Sequence, residues 1–147
     1  MRVVVINHLT LDGVMQSPGR ADEDTRGGFT QGGWSAPNGD AVMNEAWGAR
    51  LSHSGGLLFG RRTYTEVLGY WNSQPDNAFK DALNNAPKYV ASTTLTEPLP
   101  WPNSTLLEGD IAYAVRDLKG RPDGDLHVMG SGALIRYLMV KDLVDEL

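Results

Sequence analysis

Two adjacent arginines, Arg61 and Arg62, stand between a short apolar run, Leu57–Phe59, and a segment in which Tyr64, Val67, Leu68 and Trp71 recur at helical spacing. Cations at a helix start oppose its macrodipole, so two together suggest an anion between them; solvated charges are the plainer alternative. The chemistry this suits is capture of a phosphate by guanidinium groups and by the first N–H groups of the helix. Two further turns could share that work. Ser92, Thr93 and Thr94 follow the strand-like KYVA, and their hydroxyls could bond a phosphate or a ribose. Taken alone, they read better as a strand end satisfying loose backbone groups. Gly130, Ser131 and Gly132 follow DLHVM and open a helical segment, where a pyrophosphate could approach the backbone. That is only part of a dinucleotide fingerprint: Ile135 stands at the third glycine position, and no chain remains at the spacing of a ribose-binding acid. A tight strand-to-helix turn is the plainer reading.

Other candidates are thinner. Asp12 ends the first apolar run, where it could contact a substrate or simply hold a turn. His8, His53 and His127 are scattered without metal-ligand spacing, and no metal is expected. No Ser/His/Asp grouping suggests a nucleophile. Trp47 and Trp71 read as core from their helical spacing.

The elements that must position these residues alternate between strand and helix. RVVVINHL, residues 2–9, suits a strand buried on both faces. Residues 16–37 show little periodicity and much glycine, and a structureless loop of that length in a domain is usually functional or disordered. Trp34 near its end is an apolar anchor that could close over a ligand. Asn38 or Asp40 can cap a helix running to about Ser52, with Met43, Ala46, Trp47 and Leu51 as its buried stripe. Thr63 and Glu66 have the spacing of a capping box opening the helix that ends near Trp71. A short helix is expected near 76–85, strands at 88–91, 104–107 and 125–129, and helices from Asp110 to Gly120 and from Gly132 through Val140. Glu97 to Pro102 contains three prolines and must be irregular. The alternation implies crossovers and a mostly parallel central sheet flanked by helices. Ligands then sit beyond the carboxyl ends of the strands, where all three polar turns fall.

The chain has 147 residues, 41% apolar and 21% charged, which fits one globular domain with a real core. A net charge of −5 argues against nucleic acid or an anionic membrane as the main partner. There is no cysteine, hence no disulfide framework, and no stretch long enough to span a bilayer. A cytoplasmic single domain over residues 1–147 is the expectation.

The ordered set LTLDG, LLFGRRTYTEV, YVASTTL and LHVMGSGALI resembles the dihydrofolate reductase-like superfamily. Within it the chain is most similar to the C-terminal reductase domain of the bifunctional riboflavin-biosynthesis deaminase-reductase and its stand-alone relatives. The likeness covers nearly the whole chain, and FGRRTYTEV is its most specific piece. It implies a three-layer sandwich and an NADPH-dependent reductase of a pyrimidine- or pteridine-like molecule, such as 5-amino-6-(5-phosphoribosylamino)uracil. By that resemblance Gly60, Arg61, Arg62 and Thr63 would hold cofactor phosphates. Arg61 would lie near the adenosine 2′-phosphate, with Ser92 and Thr93 flanking it, and Thr94 would also contact the cofactor. Gly130, Ser131, Gly132 and Ala133 would cradle the pyrophosphate. Leu9 to Met15, including Leu11 and Asp12, would border nicotinamide and substrate, and the 16–37 loop with Trp34 would resemble the flap beside them. A homodimer is implied as well, partly because an unfinished sheet edge would be a liability if left bare.

Two departures qualify the likeness. Family members usually continue past the segment resembling LVDEL, so the last strands are expected to be missing. Strict dihydrofolate reductases carry a carboxylate where a gapless match places Asn44, three before Trp47. An amide can bond a heterocycle but cannot carry the charge that favours a protonated pterin. Asp40 and Asp12 are possible substitutes, and a shift of one residue would bring in Glu45. The alternatives to this reading are a non-catalytic nucleotide-binding module of the same fold, a strict dihydrofolate reductase, and an unrelated α/β phosphate-binding enzyme.

Overall fold

Leu57, Leu58 and Phe59 occupy successive strand positions and are 1%, 0% and 0% exposed. Side chains alternate between the faces of a strand, so both faces of the sheet are covered here. The computed structural model describes residues 1–51 and 54–147, with all side chains among them except those of Asn38, Ala41 and Asn44. The strands are β1 (Arg2–Val5), β2 (Ser54–Gly60), β3 (Lys88–Ala91), β4 (Ser104–Leu107) and β5 (Asp125–Gly130). The helices are α1 (Ala41–Leu51), α2 (Arg61–Ser73), α3 (Ala78–Asn85), α4 (Ile111–Lys119) and α5 (Gly132–Val140). All strand pairs are parallel, in the order β1-β5-β2-β3-β4. The passage from β2 through α2 and α3 to β3 runs one way along the sheet, and that from β4 through α4 to β5 runs the other. Right-handed crossovers in opposite directions place their helices on opposite faces, which gives the expected three-layer α/β architecture.

The chain divides into two compact units, one of Met1–Ile6 with His53–Leu147 and one of Asn7–Ser52. The first holds the sheet and its core. Tyr64 and Leu68 of α2, Leu83 of α3, Val115 and Leu118 of α4, and Leu138 of α5 are its buried helical side chains, at 0–1% exposure. In α4 the buried stripe is Ala112, Val115 and Leu118, and Asp110 caps the helix by accepting from the N–H groups of Ala112 (2.8 Å) and Tyr113 (3.2 Å). Beyond α5 the chain adds to the outer edge of β1. Val5 N–H donates to Glu146 O (2.9 Å), and Asp145 and Glu146 donate to Val3 O (2.9 and 3.2 Å). The outer edge of β1 is thus partly paired. At the other edge the Glu97 carboxylate accepts the Leu106 N–H at 2.7 Å, which satisfies a donor of the β4 rim.

Three expectations are corrected. The first strand ends at Val5 rather than Leu9. Ile6 makes one further bond to Val128 O (3.1 Å), and Leu9 and Leu11 are 60% and 108% exposed. The capping box at Thr63 and Glu66 is absent: α2 begins at Arg61 with Gly60 as its N-cap, which leaves Thr63 inside the first turn. Ala46 does not join a buried stripe; it is exposed, while Met43, Trp47 and Leu51 are half-buried.

In the second unit, residues 16–35 fold as a loop around Ser17, which is 2% exposed. Its hydroxyl donates to Arg20 O (2.7 Å) and accepts the Asp24 N–H (3.0 Å), and its carbonyl accepts the Gly33 N–H (2.8 Å). The Gln16 amide donates to the carbonyls of Asp24 and Arg26, both at 3.0 Å. The loop is thus held largely by its own groups.

Candidate functional site

Register alone brings the three polar turns together. Gly130, the last residue of β5, pairs with Phe59, and Ala91, the last of β3, pairs with Gly60, the last of β2. The turns at 60–63, 92–94 and 130–133 therefore leave the same carboxyl edge from three neighbouring strands, β5, β2 and β3. This is the edge where α/β sheets bind ligands.

The two helix starts touch. A Cβ built on Gly60 would lie 2.5 Å from Ser131 Oγ and 3.1 Å from Ser131 N. Gly130 has φ +126°, and a Cβ there would lie 2.9 Å from Thr63 Oγ1. Only glycine fits either position without displacement. Thr63 thus packs across to the neighbouring turn instead of capping its own helix, which explains the missing capping box. The Gly130–Ser131 peptide is cis.

Helices α3 and α4 have side-chain caps from Asn77 and Asp110, whereas neither α2 nor α5 has one. Their first-turn N–H groups remain donors without an internal partner, aimed past the sheet edge. Arg61 and Arg62 are the first two residues of α2 and both are exposed. Residues 60–63, 92–94 and 130–133 include these two cations and no acid. Such a set suits an extended anion with more than one phosphate.

The hydroxyl turn behaves partly as its plainer reading had it. Ser92 Oγ accepts the N–H groups of Thr94 (3.1 Å) and Leu95 (3.0 Å), holding the turn, and lies 3.5 Å from Thr94 Oγ1, where the two hydroxyls share a bond. Thr93 and Thr94 are exposed.

Leu11, Asp12, Met15, Trp34, Asp40 and Asn44 all belong to the second unit. Thr10 Oγ1 donates to the Asp12 carboxylate at 2.5 Å and accepts the Val14 N–H at 2.8 Å. That hydroxyl, followed by Asp12's own N–H, holds the Asp12 carboxyl below the usual range, which favours an orienting anion over a proton donor. Met15 is half-buried and Leu11 exposed. Trp34 Nε1 donates to Gln16 O at 2.9 Å, so the indole pins its own loop. Asp40 caps α1 by accepting the Met43 N–H at 2.8 Å. Asn44 lies in α1, and its side chain falls outside the described residues, as does His53. His8 stacks on Trp47 with ring centroids 6.0 Å apart. Among the described residues, no three His, Asp or Glu side chains converge as a metal site.

Sequence reasoning missed the interlock of Gly60 with Ser131 and of Thr63 with Gly130. Two glycines at the ends of adjacent strands were the available signal. It also missed Ser17, whose partners are mainly backbone groups that no residue pattern announces.

The model of the RibD C-terminal domain matches residues 2–147. The chain belongs to the RibD C-terminal domain family. Its fold is that of a crystallised protein from Shewanella sp. PV-4 provisionally assigned to riboflavin biosynthesis, with a TM-score of 0.64 at 23% identity, covering 99% of this chain and 73% of that one. No curated protein sequence matches this chain. Membership of the RibD C-terminal family makes this a reductase-like domain of the riboflavin-biosynthesis type. No helix among the described residues is long and apolar enough to cross a membrane.

Proposed function

We propose that this RibD C-terminal domain is an NADPH-dependent reductase of a pyrimidine- or pteridine-like molecule, with an aminouracil bearing a phosphoribosyl group as the leading class. The observation that carries the reading is the carboxyl edge, where two uncapped helix starts, two arginines and three polar turns meet. The residues fit a dinucleotide. The N–H groups of α5, beginning at Gly132 and Ala133 next to Ser131, would receive one phosphate, while Arg61 and Arg62 would hold a second, dianionic one. Bound there, NADPH would supply a hydride. The three turns would fix its position, and Ser92 keeps the turn at residues 92–95 in shape through its bonds to the N–H groups of Thr94 and Leu95.

Asp12, Trp34 and Asn44 are the residues to test first for a role toward the substrate. Asn44 in place of a carboxylate favours a uracil-like ring over dihydrofolate. The deciding experiment follows NADPH absorbance with a panel of aminouracils, pterins and dihydrofolate. Consumption with an aminouracil supports the proposal. NADPH binding without consumption across the panel supports a nucleotide-binding module instead, and efficient use of dihydrofolate supports the strict dihydrofolate reductase reading. A homodimer is proposed for the active form, and a monomer mass in light scattering at micromolar concentration would refute it.

A further inference from the structure

Strand β4 is the last of the sheet, and among the described residues no strand lies outside it. In a parallel pair the residues of one strand turn their N–H and C=O groups alternately toward the neighbour and away from it. The Leu106 N–H bonds to the Glu97 carboxylate, outside the sheet, so Leu106 is an outward residue and Ser104, two positions earlier, is another. The Lys88 N–H donates to Asn103 O at 2.7 Å, which fits the same alternation. A row of outward backbone groups is a template for a further strand. The side chains of β4, Ser104, Thr105, Leu106 and Leu107, carry no charge that would keep one away.

What covers the row comes from the connection that precedes β4. Glu97 lies nine residues before Leu106 and is exposed. One oxygen of its carboxylate accepts the Leu106 N–H at 2.7 Å, and the other accepts the Leu99 N–H at 3.2 Å. The second bond ties the carboxylate to its own connection, so the group is set against the edge. A charged acceptor holds an N–H more strongly than a neutral one. The connection is a poor strand itself, because Pro98, Pro100 and Pro102 alternate along it and none has an N–H to donate. Trp101, its ring centroid 4.9 Å from that of Tyr64, fastens the same connection to α2.

We propose that the outer edge of β4 is a latent strand-pairing surface, kept closed by Glu97, and that the partner it takes when opened is the β4 edge of a second copy of this chain. Two copies related by a two-fold axis pair antiparallel. Outward residues then meet outward residues. Ser104 of each copy stands opposite Leu106 of the other, exchanging N–H and C=O, and Thr105 stands opposite Thr105. This contact is separate from the homodimer proposed for the active form and does not rest on the cofactor reading. While Glu97 occupies the Leu106 N–H, the edge is shut.

Sedimentation equilibrium of wild type, Glu97→Ala, and Glu97→Ala with Thr105→Lys tests this. Glu97→Ala should exceed the wild-type mass, by an amount that rises with protein concentration. Adding Thr105→Lys should restore the wild-type mass, because the new lysines would stand opposite each other, about 4.5 Å apart at Cα, and like charges so placed repel. A folded Glu97→Ala that keeps the wild-type mass at every concentration would overturn the proposal. Association that Thr105→Lys leaves unchanged would overturn it too, since another surface would be responsible. A second arm uses the wild type alone. Its Leu106 amide should be protected in hydrogen exchange although it points away from the sheet. Exchange at the rate of an open backbone amide would show that Glu97 does not close the edge.

Discussion

Gly60 and Ser131, the residues from which α2 and α5 start, face each other at a distance that leaves no room for a Cβ: one on Gly60 would come within 2.5 Å of Ser131 Oγ. The N-termini of two helices are thereby locked into one rigid edge. Gly60→Ala is expected to destabilise the fold by about 1–3 kcal/mol, the usual range for overpacking. Adding Ser131→Gly should recover part of the loss, because the hydroxyl is the nearest obstacle and the Ser131 nitrogen, at 3.1 Å, remains. Urea midpoints for the two single variants and the double variant measure the coupling. Additive losses would mean that the turns do not meet as described.

Arg61 and Arg62 are exposed at the first turn of α2, and their replacement should spare the fold. Arg61→Ala is expected to weaken NADPH binding about tenfold or more, the scale of one charge-assisted contact to a phosphate, while hardly changing NADH binding. Isothermal titration with both cofactors checks this. Equal affinity of the wild type for the two would remove the arginines from phosphate recognition.

Asp145 joins the last residues of the chain to β1 and α4. Its carboxylate accepts the Val3 N–H at 2.7 Å and pairs with Lys119. The Lys119 bond first, and the Val3 N–H after burial has pushed the other way, hold this carboxyl below its ordinary 3.8. A carboxyl depressed in the fold adds stability that is full above the ordinary value and disappears as pH falls through the folded one. Asp145→Asn should therefore be less stable than wild type at neutral pH, with the gap closing below 3.8. Chemical unfolding at neutral and acid pH reads the difference directly.

The loop around Ser17 predicts a local defect. A Cβ on Gly32 would lie 2.7 Å from Ser17 Oγ and 2.8 Å from the carbonyls of Ala21 and Arg20, two of them backbone atoms that cannot swing aside. Gly32→Ala should open this loop at a cost of about 1–3 kcal/mol, and Ser17→Ala should do so by leaving the Asp24 N–H without its acceptor. Limited proteolysis should then cut within residues 16–35 while the sheet stays protected. Wild-type resistance in both variants would show that the loop does not depend on Ser17.

The legible parts of this chain were those in which local pattern and tertiary burial agree. Leu57 to Trp71 reads as strand, turn and helix because the apolar run is buried on both faces and Tyr64 and Leu68 share one helical side. Asp110 announced its own helix because a cap bonds residues two and three positions away. The failures lie where partners are distant. Nothing in RVVVINHL marks Val5 as the last strand residue, since that depends on where β5 ends. Thr63 and Glu66 have capping spacing, yet Gly130 offers Thr63 a closer neighbour across the sheet edge. The order of the three polar turns was readable from sequence, but their adjacency follows from β5 lying beside β2, a placement that local pattern does not encode.

That placement has a consequence for how the chain comes together in time. Strand β5 separates β1 from β2, and among the described residues β1 pairs otherwise only with the residues at 145–146. During synthesis β2, β3 and β4 can zip as soon as they emerge, whereas Val3, Val4 and Val5 must wait for a strand more than a hundred residues later. Until residue 130 has left the ribosome, the apolar first strand and the inner rim of β2 are both open to wrong partners. A nascent chain halted before β5 is thus the form of this protein most in need of a chaperone, and the residues that complete the carboxyl edge with its three polar turns are the same ones that relieve that need.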